Sequence, residues 1–168
     1  VHPGTDGRSG LCLSGTALKW LALLSMLADH IAVVLFAGGV FCDSENIIRL
    51  FRAVGRLAFP VYCFLLAEGF LRTQSRKKYV LRMLIFAFIS EIPFDLAIYD
   101  RFPAWNLQNI YFELAILLLV FMGLERAGWA GAAGGFLSGF VIAAGCFSAW
   151  ILRTDYDIEG IFLGTAFY

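Results

Sequence analysis

Five stretches of this chain, 17–37, 47–71, 79–99, 107–124 and 129–152, are each apolar over nearly the length needed to cross a bilayer. A helix rises 1.5 Å per residue, so about 20 apolar residues cover a hydrocarbon core of ~30 Å. Charged residues make up only 15% of the 168 and fall in short bursts between these runs, while 60% are hydrophobic. A soluble domain of this length has too little interior for so much apolar surface. The pattern predicts an all-α polytopic transmembrane helix bundle. A sixth run begins near Ile158 and stops at Tyr168, too short to cross, so the expectation is five full spans plus a truncated sixth. Residues 1–16, Gly- and Ser-containing and without a signal-peptide pattern, are expected to form a flexible leader ahead of a transmembrane domain over 17–168 that is cut short at its C-terminal end. A net charge of zero argues for neither nucleic acid nor an acidic partner.

The densest basic cluster, Arg72, Arg76, Lys77, Lys78 and Arg82, lies between the second and third runs. Cytoplasmic loops carry such an excess, which places this loop and the N-terminus inside. The stretches 38–46, 100–106 and 153–157 then face outward. Cys12, Cys42, Cys63 and Cys146 show no paired spacing and read as free thiols. Gly131, Gly135, Gly139 and Ala143 recur every four residues, a small-residue stripe expected to seat another helix.

Ionisable residues inside a span are costly, so their depth matters. Counting from the outer end of each run, His30 lies ~10 Å deep, Arg56 ~14 Å, Glu91 ~12 Å and Glu113 ~9 Å. Four helices thus carry an ionisable group at nearly one level. Arg49, Arg52 and Arg56 share a helix face by their three- and four-residue spacing; so do Glu91 and Asp95, and Asn106, Asn109 and Glu113. Pro93 between Glu91 and Asp95 frees a carbonyl near the layer. Asp29 diverges from His30 by ~100° and suits an arginine partner. Asp155, Tyr156 and Asp157 arrive on the same side. At the basic end, Glu68 and Arg72 are spaced to pair.

A layer of this kind can be a salt-bridge lock, a proton or ion path, or a catalytic centre. His30 is the single histidine in any span, and imidazole is the side chain best suited to exchange a proton near neutral pH. Arg76, Lys77 and Lys78 suit either anionic lipid or a phosphate-bearing cytosolic ligand. No paired broken helices or internal repeats favour a transporter. No Gly-rich phosphate loop, serine elbow or metal spacing is present, and five residues after His30 stands Leu35, so the His-x4-Asp arrangement of soluble acyltransferases is absent.

The stretches LKWLALLSMLADHIAVVLF (18–36), RAVGRLAFPVYCFLLAEGFLRTQSRKKYVLRMLIFAFISEIPFDLA (52–97), NLQNIYFELA (106–115) and DYDIEGI (155–161) resemble the TraX family of bacterial membrane proteins. Three signatures carry the likeness: Asp29-His30, the Gly-Arg-x-Ala-Phe-Pro block at 55–60, and Ser-x-Ile-Pro-Phe at 90–94. The family is similar to a wider group of transmembrane acyltransferases. The resemblance implies acetyl transfer from cytosolic acetyl-CoA to an acceptor, a protein N-terminus or a sugar, on the outer side of the bacterial cytoplasmic membrane, with no metal. It implies His30 as the catalytic histidine, supported by Asp29, Arg56 and Glu91. Arg76, Lys77 and Lys78 would then receive the donor's phosphates. Arg49, Arg52, Asp95, Asn109, Glu113, Asp155 and Tyr156 would complete the substrate-facing layer. A proton-coupled transporter and a non-catalytic membrane scaffold remain the competing expectations.

Overall fold

The computed structural model describes residues 14–37 and 45–168. Seven α-helices and a short 3-10 turn make up the described chain: α1 (Gly15–Ala37), α2 (Glu45–Arg56), α3 (Ala58–Arg72), α4 (Arg76–Tyr99), α5 (Ile110–Gly128), the turn Gly131–Ala133, α6 (Gly134–Leu152) and α7 (Asp157–Ala166). The all-α expectation holds. Cys63 and Cys146 are free; Cys12, Cys42, residues 1–13 of the leader and most of the 38–46 loop lie outside the described residues. Three segments are long and apolar enough to cross a membrane: Gly15–Leu35, Ile48–Arg72 and Gly134–Leu152. Polar groups set the other long helices apart. Glu91 and Asp95 interrupt α4, and Glu113, Glu125 and Arg126 punctuate α5.

The run 47–71, read from sequence as one span, is two helices broken at Leu57. Pro60 accounts for the position of the break. Proline has no N–H, and its ring crowds the carbonyl four residues earlier, here that of Arg56. The freed backbone is partly recaptured locally: the Val54 carbonyl accepts from Leu57 N at 3.1 Å and from Ser25 Oγ of α1 at 2.5 Å. Helix α2 lies along α1, and α3 turns into the bundle. The 129–152 run also starts later than expected as α-helix, at Gly134, after the 3-10 turn.

Helix α5 is the hub. It packs against α3, α4, α6 and α7, and Leu114, Ala115, Ile116, Leu117, Leu118, Val120 and Phe121 are all buried. Helices α3 and α7 run side by side. At one end the Phe59 and Tyr156 rings stack at 3.8 Å; at the other, Tyr168 meets Phe70 and Phe121 at 5.8 and 4.8 Å. The close approach of α7 to α5 depends on Gly160 and Gly164, where a β-carbon would run into the side chains of Glu113 and Leu117.

The small-residue stripe does not do what its spacing suggested. A β-carbon at Gly135 or Gly139 would meet nothing, and both residues are exposed. The close contacts of α6 come instead from Gly145, against Val120 of α5. Four-residue spacing identifies a smooth helix face; which face meets a neighbour is decided by the loops and by the hub helix.

Candidate functional site: a polar mouth on the α2–α3 break

The break exposes a short sequence block to several partners at once. A β-carbon at Gly55 would strike the side chain of Asp29, so the glycine is what lets α1 present Asp29 against α2. Arg56 ends α2 at the break, Phe59 opens α3 and stacks on Tyr156, and Pro60 causes the break. The Gly-Arg-x-Ala-Phe-Pro block is therefore one structural device, each residue with its own task.

His30, one residue on from Asp29, has its Nδ1 2.9 Å from the Met26 carbonyl of its own helix. A carbonyl can only accept, so this contact assigns the proton of a neutral imidazole to Nδ1. Nε2 is then the lone-pair nitrogen, and it has no hydrogen-bond partner among the described residues. Phe94 of α4 approaches the ring edge-on at 6.4 Å.

The loop between α6 and α7 brings Asp155 and Tyr156 to the same place. Loss of hydration among the surrounding groups is the main cause that raises the Asp155 carboxyl pKa above its ordinary value; among the charges acting on it, His30 lowers it, Asp29 raises it, and Arg52 and Arg56 lower it. Asp155 nevertheless keeps an exposed edge. Tyr156 is pushed up to about 12, by burial first and then by Asp155 and Asp29, against Arg56. These mutual influences define one electrostatic neighbourhood of Asp29, His30, Arg52, Arg56, Asp155 and Tyr156, drawn from α1, α2 and the α6–α7 loop.

Charges in this mouth gather without pairing. Arg52 and Arg56 are exposed and form no ion pair among the described residues, and Asp29 Oδ1 is buried with no hydrogen-bond partner. Arg49 is on the same exposed face of α2. Among the described residues, no group of three or more His, Cys, Asp or Glu gathers closely enough to hold a metal.

Glu91, Asp95 and Asn109 form a second polar group, bonded within α4 and the α4–α5 connection. Glu91 Oε2 accepts from Asn109 N at 3.2 Å and Nδ2 at 2.5 Å, and the same amide donates to the Ala87 carbonyl at 2.8 Å. Asn109 in turn caps α5 by accepting from Tyr111 N at 3.0 Å. Asp95, fully buried, accepts from Ala104 N at 2.7 Å. Glu91 was expected to orient His30 or Arg56; its hydrogen bonds go instead to Asn109, and it acts as a clasp between α4 and the start of α5. Asn106 is exposed and joins neither centre. Glu113 is fully buried between the two, with Oε2 accepting from Tyr156 N at 2.8 Å.

At the opposite end, Arg72 pairs with Glu68 at 2.7 Å, as its spacing predicted. Arg76 is engaged three ways: by the Thr73 carbonyl, by Glu125 at 3.2 Å, and over the Phe70 ring at 5.0 Å. It ties the α4 start to the α5 end. Lys77 and Arg126 line a groove of about 340 Å³ beside it, with Trp129 at the rim. Sequence reading did not single out Arg126, whose approach to Lys77 depends on α4 and α5 being antiparallel neighbours. It also missed Gly160 and Thr154. Thr154 is buried with an unpartnered hydroxyl in the loop that carries Asp155; nothing local in the sequence marks it.

A helical bundle with three segments long and apolar enough to cross a membrane, and polar side chains gathered at the α2–α3 break, defines a helical membrane protein. The particular family is settled by comparison: residues 14–168 match the family described as TraX protein, and the chain belongs to it. It is also similar to the probable fimbrial assembly protein FimC, serogroup H1, of Dichelobacter nodosus, with 32% identity over 116 residues. That alignment takes in 65% of this chain and 46% of the relative, so the chain matches about half of the relative's length. No solved structure matches.

Proposed function

We propose that the protein is a membrane-embedded acyltransferase in which His30 is the general base. The observation that carries this reading is the tether of His30 Nδ1 to the Met26 carbonyl, which leaves Nε2 as the proton acceptor beside unpaired arginines. Nε2 takes the proton as the acceptor's amine or hydroxyl attacks the thioester carbonyl of an acyl-CoA. Arg56, with Arg52, stabilises the oxyanion of the tetrahedral intermediate; fixed charges act strongly where water is excluded. The C–S bond then breaks, and the thiolate leaves with the proton that His30 held. Asp155 and Asp29 steady the imidazolium in between.

The domain over 17–168 would supply five full spans and the short helix α7, with α2 and α3 together making the second. Its N-terminus would lie on the cytoplasmic side of a bacterial inner membrane. Acetyl-CoA would approach the groove of Lys77 and Arg126, with Arg76 as the pin that shapes it and Lys78 next in sequence. Family membership supports this class of reaction, and the fimbrial-assembly description of the Dichelobacter relative favours a protein acceptor handled outside the cytoplasm.

The test uses the full-length protein in detergent, with acetyl-CoA as donor and release of free CoA thiol as readout. Saturable binding and thiol release, both measured alongside His30→Ala, are expected, with release lost in the variant while its elution and melting profile stay unchanged. A folded His30→Ala protein that still releases thiol removes His30 from the chemistry. Transport is the second reading, because unpartnered buried oxygens on Asp29, Glu91, Asp95, Glu113, Thr154 and Asp157 also suit a proton path. It predicts proton flux into vesicles with no donor present.

A further inference from the structure

We infer that Glu113 is the positioning residue of this site: from inside the bundle it holds the Thr154–Asp157 loop so that Asp155 and Tyr156 face His30 and Arg56. The inference rests on the acyl-transfer reading for its consequence in catalysis, but its structural half stands on contacts already described.

Besides the Phe59–Tyr156 stack and the Thr154 N bond to the Ala149 carbonyl at 3.2 Å, two hydrogen bonds tie the loop to two points in the α4–α5 region. One is the backbone of the α4–α5 connection, where Gln108 N donates to the Arg153 carbonyl at 2.9 Å. The other is Glu113, whose Oε2 takes the Tyr156 N–H at 2.8 Å. Between and beside these points the backbone is unusual. Arg153 and Asp157 both have left-handed φ values, 53° and 51°, which cost non-glycine residues energy and persist only where surroundings enforce them. Tyr156 N is among the first amides of α7 and has no partner within its own helix.

Glu113 is well placed for this task. It lies in the first turn of α5 and beside the start of α7, so the positive ends of two helices converge on one carboxylate. Gly160 is what admits it, because a β-carbon there would occupy the carboxyl group's space. Oε1 stays buried without a partner. Only one oxygen is needed to hold the loop, so a neutral amide of the same shape can do the holding.

The charged groups around the mouth are Asp29 of α1, Arg52 and Arg56 of α2, and Asp155 of the loop, with Phe94 the neighbour from α4. Removing Glu113's grip therefore changes the surroundings of His30 without touching His30. That separates a positioning role from a merely structural one.

The experiment compares Glu113→Ala, Glu113→Gln and Gly160→Ala with the wild type, all as full-length protein in detergent. Three readouts are taken: amide exchange over 154–157, the rate of His30 carbethoxylation read by peptide mass spectrometry, and kcat and KM for acetyl-CoA. Glu113→Ala is expected to speed exchange at least about tenfold, the opening of one well-formed hydrogen bond. It should also change His30 carbethoxylation severalfold and lower kcat with KM held. Glu113→Gln restores all three. Gly160→Ala, which keeps the carboxylate but displaces it, reproduces Glu113→Ala and covers the case in which that variant fails to fold. Unchanged exchange, or unchanged His30 reactivity in a folded Glu113→Ala or Gly160→Ala protein, overturns the inference. So does a Gln variant that behaves as Ala. If the wild type transfers no acetyl group, the acyltransferase reading falls, and exchange and carbethoxylation still decide whether Glu113 positions the loop.

Discussion

Two polar centres interrupt this apolar bundle at comparable depth, and they are built on opposite principles. In the α4–α5 clasp, Glu91 and Asp95 each hand an oxygen to a backbone N–H, and Asn109 spends its amide on Glu91 and a carbonyl. Around the α2–α3 break, Asp29, Arg52, Arg56 and Asp155 share a neighbourhood but no hydrogen bond or ion pair joins them. Satisfied polar groups rigidify a fold; unsatisfied ones hold free energy in reserve for a ligand or a transition state. The difference is one of degree, since Glu91 Oε1 and Asp95 Oδ1 are also buried without a partner: the clasp ties α4 to the start of α5 through its other oxygens, and the mouth has no such ties among the described residues.

That contrast can be broken most decisively at His30. His30→Ala is expected to lower transfer by ~10²–10⁴-fold, the usual contribution of a general base, with little change in melting temperature. Arg56→Ala should follow at ~10²-fold in kcat, again with the fold intact, if the guanidinium meets the oxyanion. Purified protein and a thiol-release assay measure both. A large fall in stability in either variant would make the mouth structural and erase the distinction.

Clasp variants sharpen the comparison from the other side. Glu91→Ala strips Asn109 of a charge-assisted partner and should cost about 2 kcal/mol of stability, seen as a lower melting temperature in detergent, while activity per folded molecule is kept. Asp95→Asn retains an oxygen for the Ala104 N–H and should cost less, on the order of 1 kcal/mol. Loss of turnover in a folded Glu91→Ala protein would return Glu91 to the catalytic group.

The smallest effect concerns Asp155. Its carboxyl pKa is raised in the folded protein, so the neutral form is favoured there and ionisation opposes folding. The penalty is absent below the ordinary carboxylate value of 3.8 and grows as pH rises through the raised one. Asp155→Asn should therefore melt slightly higher than wild type at neutral pH, with the gain vanishing towards pH 4. A gain that persists at low pH would have another cause.

Much of this was legible in the residues. Run lengths gave helices, the four-residue interval gave the Glu68–Arg72 pair, and depth counting found the ionisable groups worth examining. The failures share one origin. Depth along a helix is local, so counting brought Glu91, Glu113, His30 and Arg56 to one level. Their azimuth around the bundle is a tertiary property, and it divided them. The stripe through Gly135 and Gly139 failed for the same reason, since a face is visible in a sequence but its neighbour is not. Arg76 looked like a free cation and proved to be a pin, because Glu125 is 49 residues away in sequence.

By itself, then, the sequence pointed to helices in a membrane, since continuous apolar runs of about 20 residues match a helix's crossing length and lack the alternation of a barrel strand. It did not place the break: 47–71 read as one span, and a proline need not end a helix, since Pro93 lies inside an unbroken α4. Only the tertiary structure decided which charges are matched and which are left open. Matching needs donor and acceptor within about 3 Å, and that distance is set by helices meeting across the bundle.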